Sequence, residues 1–140
     1  MIVADTNLIS YLLLTGSHSE VAEQVLQKDA EWIAPLLWKS EFRNVLALYV
    51  RQTILTLDEA FSILDAADEL MAGNAYEVSA YRVLQLTQQS GCSAYDCEFV
   101  VLAEDMQVPL VTSDRKILTA FPNLAVSPRE FCEPSNPEKY

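Results

Sequence analysis

The sequence predicts an α/β fold: a three-layer α/β/α sandwich around a short, mainly parallel central sheet. Short apolar runs alternate with helical patterns along the chain, an order that gives parallel pairing with helices on both faces. Glycine is scarce, three residues in 140, which argues against a barrel or sandwich built on many tight turns. The length suits one domain with its own core, and 51% of the residues are hydrophobic.

The elements follow in order. Residues 2–5 (Ile-Val-Ala-Asp) read as a strand and 6–14 as the helix after it, broken at Gly16. Ser17-His18-Ser19-Glu20 has the spacing of a capping box and opens a helix in which Val21, Ala22, Val25 and Leu26 share a face. Trp32-Ile33-Ala34, ended by Pro35, is a second strand. A long helix over 36–51 carries the stripe Leu37, Glu41, Val45 and Leu48. Thr56-Leu57-Asp58-Glu59 is another capping box. Its helix sets Leu57, Ala60, Phe61, Leu64, Ala67 and Met71 on one side and acids on the other, and ends at Gly73-Asn74.

A short extended piece over 76–78 precedes a helix over 79–89, which Gly91 stops. Ser93-Ala94-Tyr95-Asp96 is a capping pattern leading into a helix that runs to Met106. Residues 108–112 form a buried strand with Pro109 near its start, where a missing donor is tolerated. Ser113-Asp114 opens a short helix to Ala120, and 124–126 is the last strand. Ser127-Pro128-Arg129-Glu130 caps a final turn with Pro at the first helical position. The expected domain spans 1–132, and 133–140 read as a loose polar tail.

Composition narrows the classes of function. No run of about 18 apolar residues exists, so no membrane span is expected, and no basic N-terminal segment suggests a secretory signal. Cys92, Cys97 and Cys132 are odd in number and lack CxxC spacing, which points to a reduced, cytoplasmic protein. With His18 as the single histidine, a zinc site and a two-histidine ribonuclease are both excluded. The formal net charge of −11 opposes binding to a polyanion.

Four acids stand where the pattern calls for something else. Glu41 lies on an apolar stripe between Leu37 and Val45. Asp96 is followed at helical spacing by Phe99, Val100 and Ala103. A carboxylate facing inward must be paired, protonated or metal-bound. Asp5 and Asp114 close predicted strands, and in open parallel sheets the ligand crevice lies outside the carboxyl ends of strands. Each acid has an ordinary alternative: Asp5 as a helix cap, Asp96 in a capping box, Asp114 as a helix N-terminal acid, Glu41 paired with Lys39 or Arg43. Residues two apart do not face each other on a helix, which weakens the last. Together, four carboxylates in one crevice call for a hard divalent cation, Mg²⁺ or Mn²⁺. Asn7, Thr6, Thr112 and Ser113 lie beside the acids as supporting groups. Trp32, Trp38 and Cys97 read as packing residues, His18 as solvated, and Glu98 as an exposed charge near Asp96.

The segments Ile2-Val3-Ala4-Asp5-Thr6-Asn7, Ser40-Glu41-Phe42-Arg43-Asn44-Val45-Leu46, Ala94-Tyr95-Asp96 with Leu102-Ala103-Glu104, and Val111-Thr112-Ser113-Asp114-Arg115 resemble the PIN-domain nucleases, and among them the VapC-like toxins of toxin–antitoxin pairs. The resemblance runs from about residue 1 to about residue 132, with the motifs in the family's order and spacing. Ser113 departs from the alanine more common before the last aspartate.

The resemblance implies a PIN-like fold and Mg²⁺- or Mn²⁺-dependent endoribonuclease activity. It implies metal or catalytic roles for Asp5, Glu41, Asp96 and Asp114, a homodimer, and a cognate antitoxin that inserts a segment near the site. The expected chemistry is hydrolysis of RNA phosphodiester bonds, with Asp5, Asp96 and Asp114 on the cation and Glu41 on a second cation or the attacking water. Lys39, Arg43, Arg115 and Lys116 lie within two positions of Glu41 or Asp114 and form the expected basic rim for substrate phosphates. The competing readings are a receiver-like phosphoacceptor, a non-catalytic PIN-like module, and a metal-dependent phosphatase or DNase. The first wants paired N-terminal acids, whereas Asp5 stands alone.

Overall fold

The computed structural model describes residues 1–134. Its core is one five-stranded sheet formed by β1 (Ile2–Ala4), β2 (Trp32–Pro35), β3 (Ala75–Tyr76), β4 (Leu110–Val111) and β5 (Ala125–Val126). The strand order is β3-β2-β1-β4-β5 and every pairing is parallel. From β1 the chain builds outward through β2 to β3, then returns to the other side of β1 for β4 and β5. The order therefore reverses between β1 and β4, and the crevice of such a sheet opens at that point. Ile2, Val3 and Ala4 are fully buried, as a central strand covered on both faces requires.

Eight helices cover the sheet. On one side lie α1 (Thr6–Leu13), α3 (Trp38–Arg51) and α4 (Leu57–Leu70), packed on one another, with α2 (Ser19–Lys28) against α1. Right-handed crossovers put the helices of the returning connection on the opposite face. There α5 (Ala80–Ser90) packs on α6 (Ala94–Met106), and α6 lies across β1, β2 and β4. α7 (Arg115–Ala120) packs on β5, and α8 (Pro128–Cys132) on α2. The three-layer α/β/α architecture is the one the sequence predicts. Among the described residues no helix is long and apolar enough to cross a membrane.

α6 is buried nearly all round: Cys97 and every residue from Phe99 to Ala103 are inaccessible. It is the central helix of its layer, which explains its unbroken apolar run. Trp32 and Trp38 are core residues, as expected. The Trp38 indole N–H is buried without a partner, a cost of about 1–3 kcal/mol set against the large area its ring buries.

Three expectations need correction. The face α3 turns inward is Trp38, Phe42 and Leu46, one residue on from the predicted stripe; Leu48 is 47% exposed, and Leu37, Glu41 and Val45 flank the buried face. Two apolar stripes run side by side on this helix, and the bulkier aromatic one takes the core. On α4 the buried residues are Ala60, Ala67 and Met71, while Leu57 and Phe61 remain exposed. The small side chains allow close approach to α1 and α3, and the large ones project past the contact. Ser17-His18-Ser19-Glu20 forms no capping box. α2 begins at Ser19, whose hydroxyl accepts from the Gly16 N–H and donates to the Leu14 carbonyl, tying the loop instead.

The other caps form as read. Thr56 Oγ1 accepts from Glu59 N at 3.1 Å and Glu59 Oε1 from Thr56 N at 3.0 Å. Ser79, Ser93 and Ser127 cap α5, α6 and α8, and Gly91 closes α5 at φ 72°, a left-handed conformation natural to glycine. Of the tail, Glu133 and Pro134 are exposed, and 135–140 lie outside the described residues. Two patterns with the same Ser/Thr-to-Glu spacing thus differ in outcome. Thr56→Ala is expected to cost about 1 kcal/mol in urea unfolding, and Ser17→Ala less than about 0.5 kcal/mol.

Candidate active site

Asp5, Glu41, Asp96 and Asp114 line one cavity of ≈230 Å³ together with Thr6, Asn7, Asn44 and Val45. The cavity sits at the carboxyl ends of β1 and β4, where the strand order reverses. Asp5 directly follows β1, and its backbone N–H continues the ladder to Val111 O at 3.2 Å. Its backbone also caps α1, with Asp5 O accepting from Leu8 N and Ile9 N. Its side chain does not cap α1; Oδ2 instead accepts a 2.6 Å bond from Thr112 Oγ1. The same Thr112 hydroxyl accepts from the Asp114 N–H at 3.0 Å. Thr112 is fully buried just past β4, so one hydroxyl fixes the carboxylate of one acid and the backbone of another.

Thr6 plays the matching part for Glu41. Its Oγ1 donates to Glu41 Oε1 at 2.8 Å, and Thr6 is itself buried. Thr6 therefore holds Glu41, while Thr112 holds Asp5. Glu41 reaches the cavity because it lies at the edge of the buried face of α3. Asp96 stands in the first turn of α6, whose N-terminus Ser93 caps. Asp114 is the N-cap of α7: Oδ1 accepts from Lys116 N at 2.9 Å and Ile117 N at 3.2 Å. The helix-capping alternative thus holds for Asp114 along with its place in the cavity.

Ser113 is exposed and faces a different depression, so its expected supporting place beside the acids is not seen. Asn7 is exposed on the cavity wall. Asn44 is an addition that the sequence reading lacked. It stands three residues after Glu41, on the same helix face, and that spacing is the signal for it. Glu98, expected to be exposed, is half-buried and adds to the negative field at Glu41. Cys97 is buried, and desolvation raises its thiol pKa, as a packing residue's should.

The basic residues are dispersed. Lys116 is close enough to Asp96 to stabilise its charge. Lys39, Arg43 and Arg115 are exposed but line three separate depressions. The compact basic rim expected from sequence is thus reduced to Lys116 at the acids, with the other three further out.

The electrostatics follow from this crowding. Burial pushes Asp5 above the ordinary carboxylate range; the Thr112 bond and the Thr6 N–H oppose this, and Asp96 and Asp114 add to it. Burial also raises Glu41, opposed by Thr6 and reinforced by Asp5, Asp96 and Glu98. Asp96 is raised by burial and by Asp114, with Ser93 and Lys116 acting the other way. No ion pair to any of the four acids occurs among the described residues. An all-oxygen, anionic donor set with no ion pair among the described residues and Lys116 as its one nearby cation has the chemistry of a hard divalent cation site. The four do not form a closed cage: among the described residues no group of three or more His, Cys, Asp or Glu side chains is arranged to hold an ion unaided. Local bonds hold the carboxylates of Asp5, Glu41 and Asp114, Asp96 is tied through its backbone N–H to Ser93, and Asp114 keeps only Oδ2 clear of the α7 cap.

The fold and site define a three-layer parallel α/β protein with an acidic crevice at the reversal point of its sheet. A family model for the PIN domain matches residues 2–122. Ribonuclease VapC3 of Pyrobaculum aerophilum is 31% identical over 128 residues, covering 88% of this chain and 96% of that protein. Two solved structures share the fold. The crystal structure of PAE2754 from Pyrobaculum aerophilum has a TM-score of 0.74 at 19% identity, covering 94% of this chain and 92% of the other. A toxin–antitoxin complex from Klebsiella pneumoniae has a TM-score of 0.65 at 17% identity, covering 91% of this chain and 98% of the other. The chain belongs to the PIN-domain family and is VapC-like within it.

Raised carboxylate pKa values carry a stability consequence. Asp5, Glu41 and Asp96 hold protons more tightly folded than unfolded. Their contribution is therefore most favourable below the ordinary carboxylate pKa and is lost as pH rises through the folded values. In EDTA, Asp5→Asn is expected to melt a few degrees above the parent at pH 7.5, with the gap closing toward pH 4. A parent equally stable to heat at both pH values relative to the variant would contradict this.

Proposed function

We propose that this protein is a divalent-metal-dependent endoribonuclease, the toxin of a toxin–antitoxin pair. The observation that carries the reading is the convergence of Asp5, Glu41, Asp96 and Asp114 on one cavity with no ion pair to any of them among the described residues. Membership of the PIN-domain family and the 31% identity to a ribonuclease support it. Asp5, Asp96 and Asp114 are the groups to hold Mg²⁺ or Mn²⁺, and Glu41 is placed to hold a second ion or orient the attacking water. When bound, such a cation lowers the pKa of water and neutralises charge on the phosphoryl oxygens.

The chain's own residues do the rest. Thr112 keeps the Asp5 carboxylate turned into the cavity, and Thr6 does the same for Glu41. A carboxylate held this way needs no reorganisation when the charge of the reaction develops. Lys116, close to Asp96, is the first candidate for a substrate phosphate, and Arg115, Arg43 and Lys39 are exposed candidates outside the acidic cavity. Three free cysteines agree with a cytoplasmic setting. An antitoxin partner and a homodimer belong to the same reading. A ≈350 Å³ groove between α3 and α4, edged by exposed Leu57 and Phe61, offers an apolar surface for protein contact.

The test is cleavage of labelled RNAs with Mg²⁺, with Mn²⁺ and with EDTA, beside Asp5→Asn and Asp96→Asn. Cleavage is expected with either metal, to vanish in EDTA, and to fall about a thousandfold in each variant, the loss of several kcal/mol of charge stabilisation. Cleavage that persists in EDTA or in both variants refutes the metal mechanism; cleavage of DNA alone redirects the substrate.

Binding of a non-cleaved RNA should weaken with salt, with a log–log slope of about −0.7 per phosphate contact. Lys116→Ala is expected to reduce that slope by about one contact. A flat response in the parent would exclude these groups as phosphate ligands.

A further inference from the structure

A second cavity, of ≈220 Å³, adjoins the acidic one. The two share Asn7 and Val45 as wall residues. The second is bounded by the end of α1, the loop tied by Ser19, and Tyr49 of α3. Three aromatic residues line it: Tyr11, His18 and Tyr49. Tyr11 and His18 are already stacked, with ring centroids 4.5 Å apart and planes 30° apart. The sequence reading set His18 aside as solvated; it is exposed, yet one ring face lies on Tyr11.

We propose that this cavity is a nucleobase subsite, taking one unpaired base of the RNA strand beside the phosphate held at the four carboxylates and adding it to the Tyr11–His18 stack. Its volume lies below that of pockets for drug-sized ligands, about 300–1,000 Å³, and suits one ring system. Its lining mixes aromatic faces with polar edges, as a pocket that takes bases by stacking and edge hydrogen bonds requires. Side-chain bonds in this region are those of Thr6, Ser10 and Ser19. Asn7, Tyr11, His18 and Tyr49 make none among the described residues, so their polar atoms remain available to a base edge. The Tyr11–His18 stack alone has a bland explanation, pinning the loop to α1. That explanation leaves out Tyr49 and Asn7, which come from other elements to the same space, and the shared wall with the acids. A paired base does not fit, so RNA at this point is single-stranded.

The subsite rests on the nuclease reading of the acidic cavity, and its test is independent of cleavage. His18 is the single histidine, so its imidazole protons give one assignable signal. Proton spectra are recorded in Mg²⁺ during titration with each of the four nucleoside 5′-monophosphates and with ribose 5-phosphate. At least one nucleotide is expected to move the His18 ring signals upfield to saturation, and ribose 5-phosphate to leave them in place. Tyr49→Leu, which preserves apolar packing at a half-buried position, is expected to weaken that nucleotide about tenfold, within the roughly 5- to 150-fold worth of stacking one base.

Signals unmoved by all four nucleotides, or moved equally by ribose 5-phosphate, overturn the base subsite. Absence of metal-dependent RNA cleavage by the same preparation would instead overturn the nuclease reading, whatever the titration shows.

Discussion

The Thr112 hydroxyl lies between the Asp5 carboxylate and the Asp114 backbone N–H, fully buried just past β4. It has one proton to give. Donating that proton to Asp5 leaves its lone pairs for Asp114, so the two bonds specify each other's direction. This joins the two halves of the sheet where the chain order reverses. β1 and β4 are neighbours in space but 107 positions separate Asp5 from Thr112. The carboxylate of Asp5 would otherwise turn back to cap α1, the role its position invites. The 2.6 Å bond holds it toward the cavity, and the other acids are arranged around that fixed point.

Holding four carboxylates in one crevice works against stability. Burial and mutual repulsion both raise Asp5, Glu41 and Asp96. The fold offsets this with local devices rather than with counter-ions: a threonine hydroxyl for Asp5, another for Glu41, a capped helix start for Asp96, and two N–H groups of α7 for Asp114. The threonine bonds occupy one oxygen each of Asp5 and Glu41, and the α7 N–H groups one of Asp114, leaving the other oxygen uncommitted. A protein that needed only structural integrity would place arginine among these acids, since a bidentate ion pair satisfies a carboxylate more completely. Arg82 does this for Glu104, at 3.0 Å and away from the site. The contrast within one chain separates acids that are neutralised from acids that are kept available.

Much of this was legible in the sequence. Alternating strands and helices gave the three layers, because a parallel sheet covered on both faces leaves continuous apolar runs such as Ile2-Val3-Ala4 in its strands, and the helix lying across it carries another, Phe99 to Ala103. Asp5 and Asp114 were found by their place at strand ends, and Asp96 by the apolar residues that follow it. Glu41 was found for a partly mistaken reason: its stripe is the flank of α3, and the inward face is Trp38, Phe42 and Leu46. Periodicity identifies that a face is apolar, yet two adjacent apolar stripes on one helix differ only in what the partner surface accepts. Which threonine holds which acid was beyond the pattern, since Thr6 lies beside Asp5 in sequence and bonds Glu41 across 35 positions. The Tyr11–His18 stack was missed for the same reason: the loop between them folds back only because Ser19 ties Gly16 and Leu14 together.

The net charge of −11 poses a problem for any RNA-binding role only while charge is treated as a single sum. Salt screens exposed charges beyond about 8–10 Å, so a strand at the cavity responds to its immediate surroundings. Asp58, Glu59, Asp65, Asp68 and Glu69 all lie exposed on α4, which contributes nothing to the acidic cavity wall. The charges that a phosphate meets there are the four acids, Glu98 close to Glu41, and Lys116. Four carboxylates alone would repel it. A divalent cation held there would offset half of that charge and Lys116 a further part, so substrate binding would gain from metal occupancy. On the proposed reading such a cation would be the main cationic contact for the strand, with Lys116 beside it. The proposed base subsite, an aromatic cavity beside the acids, would add affinity by stacking rather than by charge.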